Sequence, residues 1–393
     1  MTTVHLDTAE RRRRLVLRHR LAADAPASSV ADAARAMVGL HASDPTTVFL
    51  AARARIPGLV VADVERALYE TRDVLRVLGM RRTLFVLPPD LAVIVRAACA
   101  EPIARAERRR LVGFMEASIP ERDAAAWLST VEADTLAALD RLGVAAATEL
   151  TREVPALAEQ FHFGAGKRWE GTVGLSTRLL FLMAAEWKIV RARPRGSWVS
   201  GQYRWSRLET WVPELPPTPS PEAGRRTLIE RWLATFGPGT ERDLAWWSGL
   251  PLGQLRAALA SLDVATVRLD EGEGIALATD LEPTPAGEPA ATLLPGLDPT
   301  PMGWKLRAWF LGPHGEALFD TNGNAGPTVW WDGRIVGAWS QRPDGSVVHL
   351  LLEDVGREAA DAVEAEAASM TEWFEGVRVM PRFPTALQKE LAS

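Results

Sequence analysis

Three times along its N-terminal two thirds, the chain repeats one order of signals. Short helical stretches run into a pair of apolar strands joined by a polar turn. Helices of period 3.6 followed by a hairpin of period 2 form the winged-helix pattern, a helix-turn-helix with an attached wing. In the first copy, residues 9–21, 29–38, 45–54 and 61–70 read as helices. Pro45 stands at the first helical position, with Asp44 or Ser43 as its cap, and Asp63 lies in the first turn of the fourth helix. Strands 74–78 and 83–87 follow, with Arg81 and Arg82 at the tip between them.

The second copy reads as helical over 89–140, interrupted at Pro120. A helix-turn-helix-like segment then begins at 144–155, followed by Gly164-Ala165-Gly166-Lys167-Arg168 and a helix over 176–187. Strands 189–191 and 198–200 flank Arg193-Pro194-Arg195-Gly196, a second basic wing. A stiff, proline-rich stretch over 215–221 separates this from the third copy. There, residues 225–236, 240–247 and 254–262 read as helices, and strands 264–269 and 275–278 flank an acidic tip containing Asp270 and Glu271. That tip repels phosphate. From about residue 290 the period switches to 2. Short strands at 292–294, 306–311, 317–319, 329–331, 334–340 and 347–351 imply a small barrel or curled sheet, with an Asp332-Gly333 hairpin turn and a closing helix over 357–374. The expected class is therefore mainly α with β (α+β), with three tandem winged-helix repeats followed by a small C-terminal β-barrel. The units are 1–90, 91–214 (including a helical connector), 222–282 and 290–393.

Composition narrows the function classes. At 393 residues the chain exceeds one ordinary core. No apolar run reaches the length of a membrane span, and no apolar segment follows the charged N-terminus, so a cytoplasmic protein without a signal peptide is expected, nucleoid-associated when on DNA. The single Cys99 excludes an internal disulfide and a cysteine-based zinc site, and no metal or cofactor motif is present. A net charge of −5 opposes a uniformly basic coat but not a local basic face. The positive charge is almost all arginine, which suits bidentate phosphate contact and equally reflects an Ala-, Arg- and Gly-rich composition. The runs Arg11–Arg14 and 105–110 read as solvated helix faces. Of the 15 tryptophans, the pairs Trp246-Trp247 and Trp330-Trp331 read as core rather than base platforms.

The chemistry-bearing cluster is His41, Ser43 and Asp44, at the mouth of the Pro45 helix. Capping explains one of Ser43 and Asp44 but does not explain a histidine beside them. Phosphate contacts are expected from Arg81, Arg82, Lys167, Arg168, Arg193 and Arg195, at wing tips or helix entries.

Several stretches carry a family resemblance. They are Gly39-Leu40-His41-Ala42-Ser43 with the following 50–55, Arg82-Thr83-Leu84, Leu293-Leu294-Pro295-Gly296-Leu297-Asp298, and 326–337. Together with the order of units, they resemble the winged-helix DNA-binding family that includes the AlkZ- and YcaQ-like bacterial DNA glycosylases, over nearly the whole chain. The resemblance implies a monomeric, metal-independent protein acting on double-stranded, lesion-containing DNA. Its implied activity is hydrolysis of the N-glycosidic bond of alkylated or bulky-adduct purines, with His41, Ser43 and Asp44 as catalytic residues. A purine alkylated at N7 already carries positive charge, so the remaining tasks are to place a water and stabilise an oxocarbenium-like sugar. A neutral imidazole accepts a water proton, a hydroxyl orients the water, and Asp44 supplies charge. Where glycosylase members carry Gln-x-Gln or Gln-x-Asp this chain has His41-Ala42-Ser43, and Phe85 stands where many carry a histidine. A non-catalytic winged-helix binder or regulator, and a small-molecule (genotoxin) binder on the same scaffold, remain open alternatives.

Overall fold

The computed structural model describes residues 3–163 and 171–393. In the first unit, helices Val30–Ala36 and Pro45–Arg53 pack on a three-stranded antiparallel sheet, Val61–Tyr69 packs on those two helices, and Thr8–Arg18 packs against the helix Pro221–Phe236 and the turn Ala308–Leu311. Strand Leu84–Leu87 is central, between Leu40–His41 and Leu75–Leu78. Gly39 enters the sheet at φ 112°, where a Cβ would lie 2.7 Å from the Leu87 side chain, so glycine is required by both conformation and space.

The second unit has its own core, built by helices Glu101–Ser118, Ala124–Leu142 and Leu175–Ala185 around Leu128, Leu150, Leu179 and Met183. Strand Ile189–Ala192 pairs with Arg204–Arg207, not with the expected 198–200. Trp198 is buried instead against Phe49 (5.0 Å) and Trp373 (5.7 Å), in the other core. Anchoring this indole lengthens the turn after Ala192 and moves the return strand six residues along the chain.

The third unit follows its expected order, with helices Pro221–Phe236, Glu241–Ser248 and Leu252–Ala260 and a hairpin of Val264–Leu269 with Gly272–Leu277. Thr240 and Asp243 cap the middle helix reciprocally, Thr240 N donating to Asp243 Oδ2 (2.9 Å) and Asp243 N to Thr240 Oγ1 (3.1 Å). The acidic hairpin tip faces the first helix. Asp270 accepts from Thr8 N at 2.8 Å and lies 2.9 Å from His5 Nε2, while Glu271 pairs with Arg11.

The C-terminal unit differs from the expected barrel. Strands Ala291–Leu294, Thr328–Trp331, Arg334–Gln341 and Val347–Leu351 form one open antiparallel sheet in chain order. The apolar runs at 306–311 and 317–319 form the helical turns Ala308–Leu311 and Gly315–Leu318. Their bulk explains this: Trp309 and Phe310 pack edgewise on each other and against Trp304 and Trp330, filling the space a further strand would take. Helix Arg357–Trp373 packs over both edge strands, and Thr371 Oγ1 accepts from the edge N–H of Val347 at 2.9 Å. The Asp332-Gly333 turn forms with both residues at positive φ, and a Cβ on Gly333 would meet the Arg12 carbonyl at 2.8 Å.

One continuous core joins the first unit, the third unit and the C-terminal sheet. Arginines stitch it together. Arg11 and Arg14, expected on a solvated face, are 2% and 1% exposed. Arg14 is held by Glu10 (2.6 Å), Asp280 (3.1 Å) and the Glu282 carbonyl (2.9 Å), and Arg11 lies over the Trp309 ring at 4.1 Å. At the centre, Arg55 grips Asp298 with two parallel bonds of 2.9 and 2.8 Å, both side chains being 0% exposed. Arg55 also donates to the Ala51 carbonyl and to Thr300 Oγ1, which contacts His19 Nδ1 at 3.0 Å. This pair joins the 50–55 and 293–298 stretches that the sequence marked separately. Among the described residues no helix is long and apolar enough to cross a membrane.

Removing one partner of a buried ion pair strands the other charge, at a typical cost of about 3–5 kcal/mol. Asp298→Ala is therefore expected to lose about that much stability in urea unfolding. The apolar double replacement Arg55→Met with Asp298→Leu is expected to lose clearly less.

Candidate nucleic-acid interface

Between the part of the second unit built on its own core and the rest of the molecule, a cleft opens. Its volume is about 860 Å³. One wall comes from the first unit through Ala42, Ser43, Arg82 and Leu84. The opposite wall comes from the second unit, including Arg178, Arg191, Arg195, Tyr203 and Trp205, and Arg382 closes one side. Five arginines and no carboxylate stand among the described lining residues. A concave surface of one sign focuses potential and attracts polyanions.

The His41–Asp44 cluster is divided among three environments. Ser43 is on the cleft wall. His41, in strand register with Phe85 and edge-on to its ring at 5.3 Å, is 4% exposed, and its Nδ1 has no partner among the described residues. Burial, aided by the charge of Arg81, lowers its pKa to about 3, so the imidazole is neutral at physiological pH. Asp44 caps the Pro45 helix, its Oδ1 accepting from Thr46 N (2.9 Å) and Thr46 Oγ1 (2.7 Å). Its Oδ2 accepts from Arg382 N at 2.8 Å, and Arg382 Nη1 donates to the Ser43 carbonyl at 3.1 Å. Asp44 faces a separate cavity of about 20 Å³ beside Gln388, room for a water and not for a nucleotide. Thus Asp44 positions the C-terminal segment that delivers Arg382 to the cleft beside Ser43.

The expected phosphate contacts also separate. Arg82 and Arg195 line the cleft. Arg82 is forked onto Glu107 by bonds of 2.9 Å, and Arg195 reaches Glu149 at 2.5 Å. Arg193 is held by Glu65 (2.6 Å) and Glu70 (2.8 Å) and does not line the cleft. Arg81, at φ 52°, turns towards the third unit and stacks on Trp246 at 4.2 Å. Lys167 and Arg168 lie outside the described residues.

Arg178, Arg191 and Arg382 escaped the sequence reading. Only Arg191 carries a signal: a charged residue inside the short apolar run Ile189-Val190-Arg191-Ala192. Its guanidinium lies over the Trp205 ring at 4.8 Å and has no hydrogen bond or ion pair among the described residues. Burial and the nearby Arg76 lower its pKa to about 10. Among the described residues, no group of three or more His, Cys, Asp or Glu side chains is arranged to hold a metal.

Comparison with known proteins matches the architecture. The model of a family described as DNA glycosylase AlkZ-like matches residues 34–373. Among solved structures, the Streptomyces sahachiroi DNA glycosylase AlkZ superposes with a TM-score of 0.68 over 95% of this chain and 98% of its own, at 20% identity. At that identity the likeness is one of fold. No curated protein matches the chain.

The depressed His41 pKa gives a signed pH dependence. The unfolded imidazole takes up its proton near pH 6.5 and the folded one only near pH 3, so the unfolded state binds more protons between these values. Stability is present above that window and is lost as pH falls through it, by at most about 1.4 kcal/mol per pH unit for one proton. His41→Gln is expected to flatten this acid-side loss, read by urea unfolding across that pH range; an unchanged slope would contradict the assignment.

Proposed function

The chain belongs to the AlkZ-like DNA glycosylase family, and we propose that it is a DNA-repair glycosylase that seats double-stranded DNA in the arginine-lined cleft. There it hydrolyses the N-glycosidic bond of a purine that already carries positive charge, an N7-alkylated or bulky-adduct base. In this reading, residues 1–90, 91–214 and 222–282 are three winged-helix repeats. The support is that each combines helices with an antiparallel hairpin, the second adding its helical connector.

One observation carries the reading: the cleft offers arginines and the Ser43 hydroxyl but no carboxylic acid among its described lining residues. Arginines hold the phosphate backbone without reading sequence. With no acid among the described lining residues to protonate a departing base, the best-fitting substrate is one whose base leaves without protonation, as a cationic purine does. The Ser43 hydroxyl both donates and accepts, which suits it to orient the attacking water. Asp44 stays behind the wall with its oxygens engaged by Thr46 and Arg382, so it acts through charge and through the placement of Ser43 and Arg382. His41, neutral and buried, supports the strand beneath them.

A second reading rests on that same division of the cluster. With its only carboxylate turned away, the site also suits a protein that binds lesions without cutting them. A single-turnover excision assay on duplex DNA carrying N7-methylguanine separates the two. We expect abasic product from the wild type and a rate reduced by about tenfold to a hundredfold in Ser43→Ala, at unchanged DNA affinity. Tight binding with no product would support the binder, and equal rates in both proteins would remove Ser43 from the reaction.

A further inference from the structure

We propose that the floor of the cleft is a phosphate subsite, formed by Arg191 and the Tyr203 hydroxyl with the buried Arg76 behind them, that takes one backbone phosphodiester of bound DNA. The inference rests on the reading of the cleft as the DNA-binding surface and assigns its innermost contact.

The strand Ile189–Ala192 packs against the strand Leu75–Leu78, which brings Arg191 of the second unit close to Arg76 of the first. Arg76 is buried. It donates through Nη1 to the Tyr203 hydroxyl and lies 4.7 Å from that ring, while its Nε has no partner among the described residues. Arg191 is the register partner of Trp205 and rests on its ring, again with no acceptor among the described residues. The contrast along one short segment is informative. Arg193 and Arg195 are each neutralised by glutamate, whereas Arg191, which faces the cleft floor, is not.

Two neighbouring guanidinium groups that repel each other, Arg76 buried and Arg191 half-buried, lower the stability of the free protein. Asp44 offsets part of this for Arg76, but its oxygens already accept from Thr46 and Arg382. If packing against Trp205 were the only task, an apolar side chain such as methionine would serve it without that cost. A phosphodiester supplies what is missing. It carries one negative charge and acceptor oxygens spaced for a guanidinium fork, with a further oxygen open to the phenol.

The test compares wild type, Arg191→Met and Arg193→Gln by fluorescence anisotropy on an undamaged duplex over a salt series, and by thermal unfolding without DNA. Arg191→Met is expected to bind about tenfold more weakly, with a log–log salt slope shallower by about one, while Arg193→Gln matches wild type. The free Arg191→Met protein is expected to melt at or above the wild-type temperature, because a repelling charge is gone. Unchanged affinity and slope would overturn the subsite, and a lowered melting temperature would show that Arg191 is structural. Inorganic phosphate at constant ionic strength separates the sources. Stabilisation of wild type but not Arg191→Met, with duplex binding unaffected by the substitution, would mean a free-phosphate site and overturn the DNA assignment. If no variant binds DNA, the reading of the cleft fails, and that result is distinct from a failure of Arg191.

Discussion

Arg55 and Asp298 meet from opposite ends of the chain in a buried, two-bond ion pair. The pair fixes the end of the Pro45 helix against the segment that follows the first strand of the C-terminal sheet. A second tie, Thr47 Oγ1 to the Gly296 carbonyl at 2.8 Å, sets the same helix from its start. With that helix fixed, its N-terminus holds Ser43 at the cleft wall and Asp44 beneath it. Asp44 in turn holds Arg382, so the C-terminal segment closes one side of the cleft. A bidentate pair of this kind specifies orientation as well as attraction, which a patch of leucines in its place would not.

The arginines fall into two populations, and the difference is what gives the molecule a face. Arg11, Arg14, Arg18 and Arg55 are consumed within the structure, by Glu271, Glu10, Asp280 and Asp298. The acidic third hairpin belongs to this internal set, since it meets the first helix. The cleft collects arginines from two units and the C-terminal segment with no carboxylate among its described lining residues, although Arg82 and Arg195 are paired with Glu107 and Glu149. A net charge of −5 therefore coexists with an arginine-lined concavity.

Local chemistry made much of this legible in the sequence. Asp44 with Pro45 and Asp332 with Gly333 each announce a cap or turn within a few residues, and each forms where its spacing placed it. The order of helices and hairpins followed from periodicity. What stayed hidden depends on partners far along the chain. Nothing near Arg14 shows that Asp280 and Glu282 will bury it. Nothing near Trp198 shows that Phe49 and Trp373 will capture it and displace the expected strand. The barrel was misread because the short apolar run at 306–311 fits a strand as well as a tight helical turn, and only the crowding of Trp304, Trp309 and Phe310 decides between them. In the candidate site, the Asp44 cap was legible, but the burial of His41 against Phe85 and the pairing of Arg193 with Glu65 and Glu70 were not. Arg191 drew no notice because one arginine in an apolar strand looks like an amphipathic edge residue until its missing partner is seen.

We place duplex DNA in the cleft between the first and second units rather than on the helices Glu241–Ser248 and Leu252–Ala260 of the third. Hydrogen exchange with and without duplex DNA tests this directly. The account predicts protection in the segments around Ser43, over Ile189–Ala192 and Arg204–Arg207, and near Arg382, with Leu252–Ala260 unchanged. Protection concentrated on Leu252–Ala260, with the cleft segments unaffected, would contradict it.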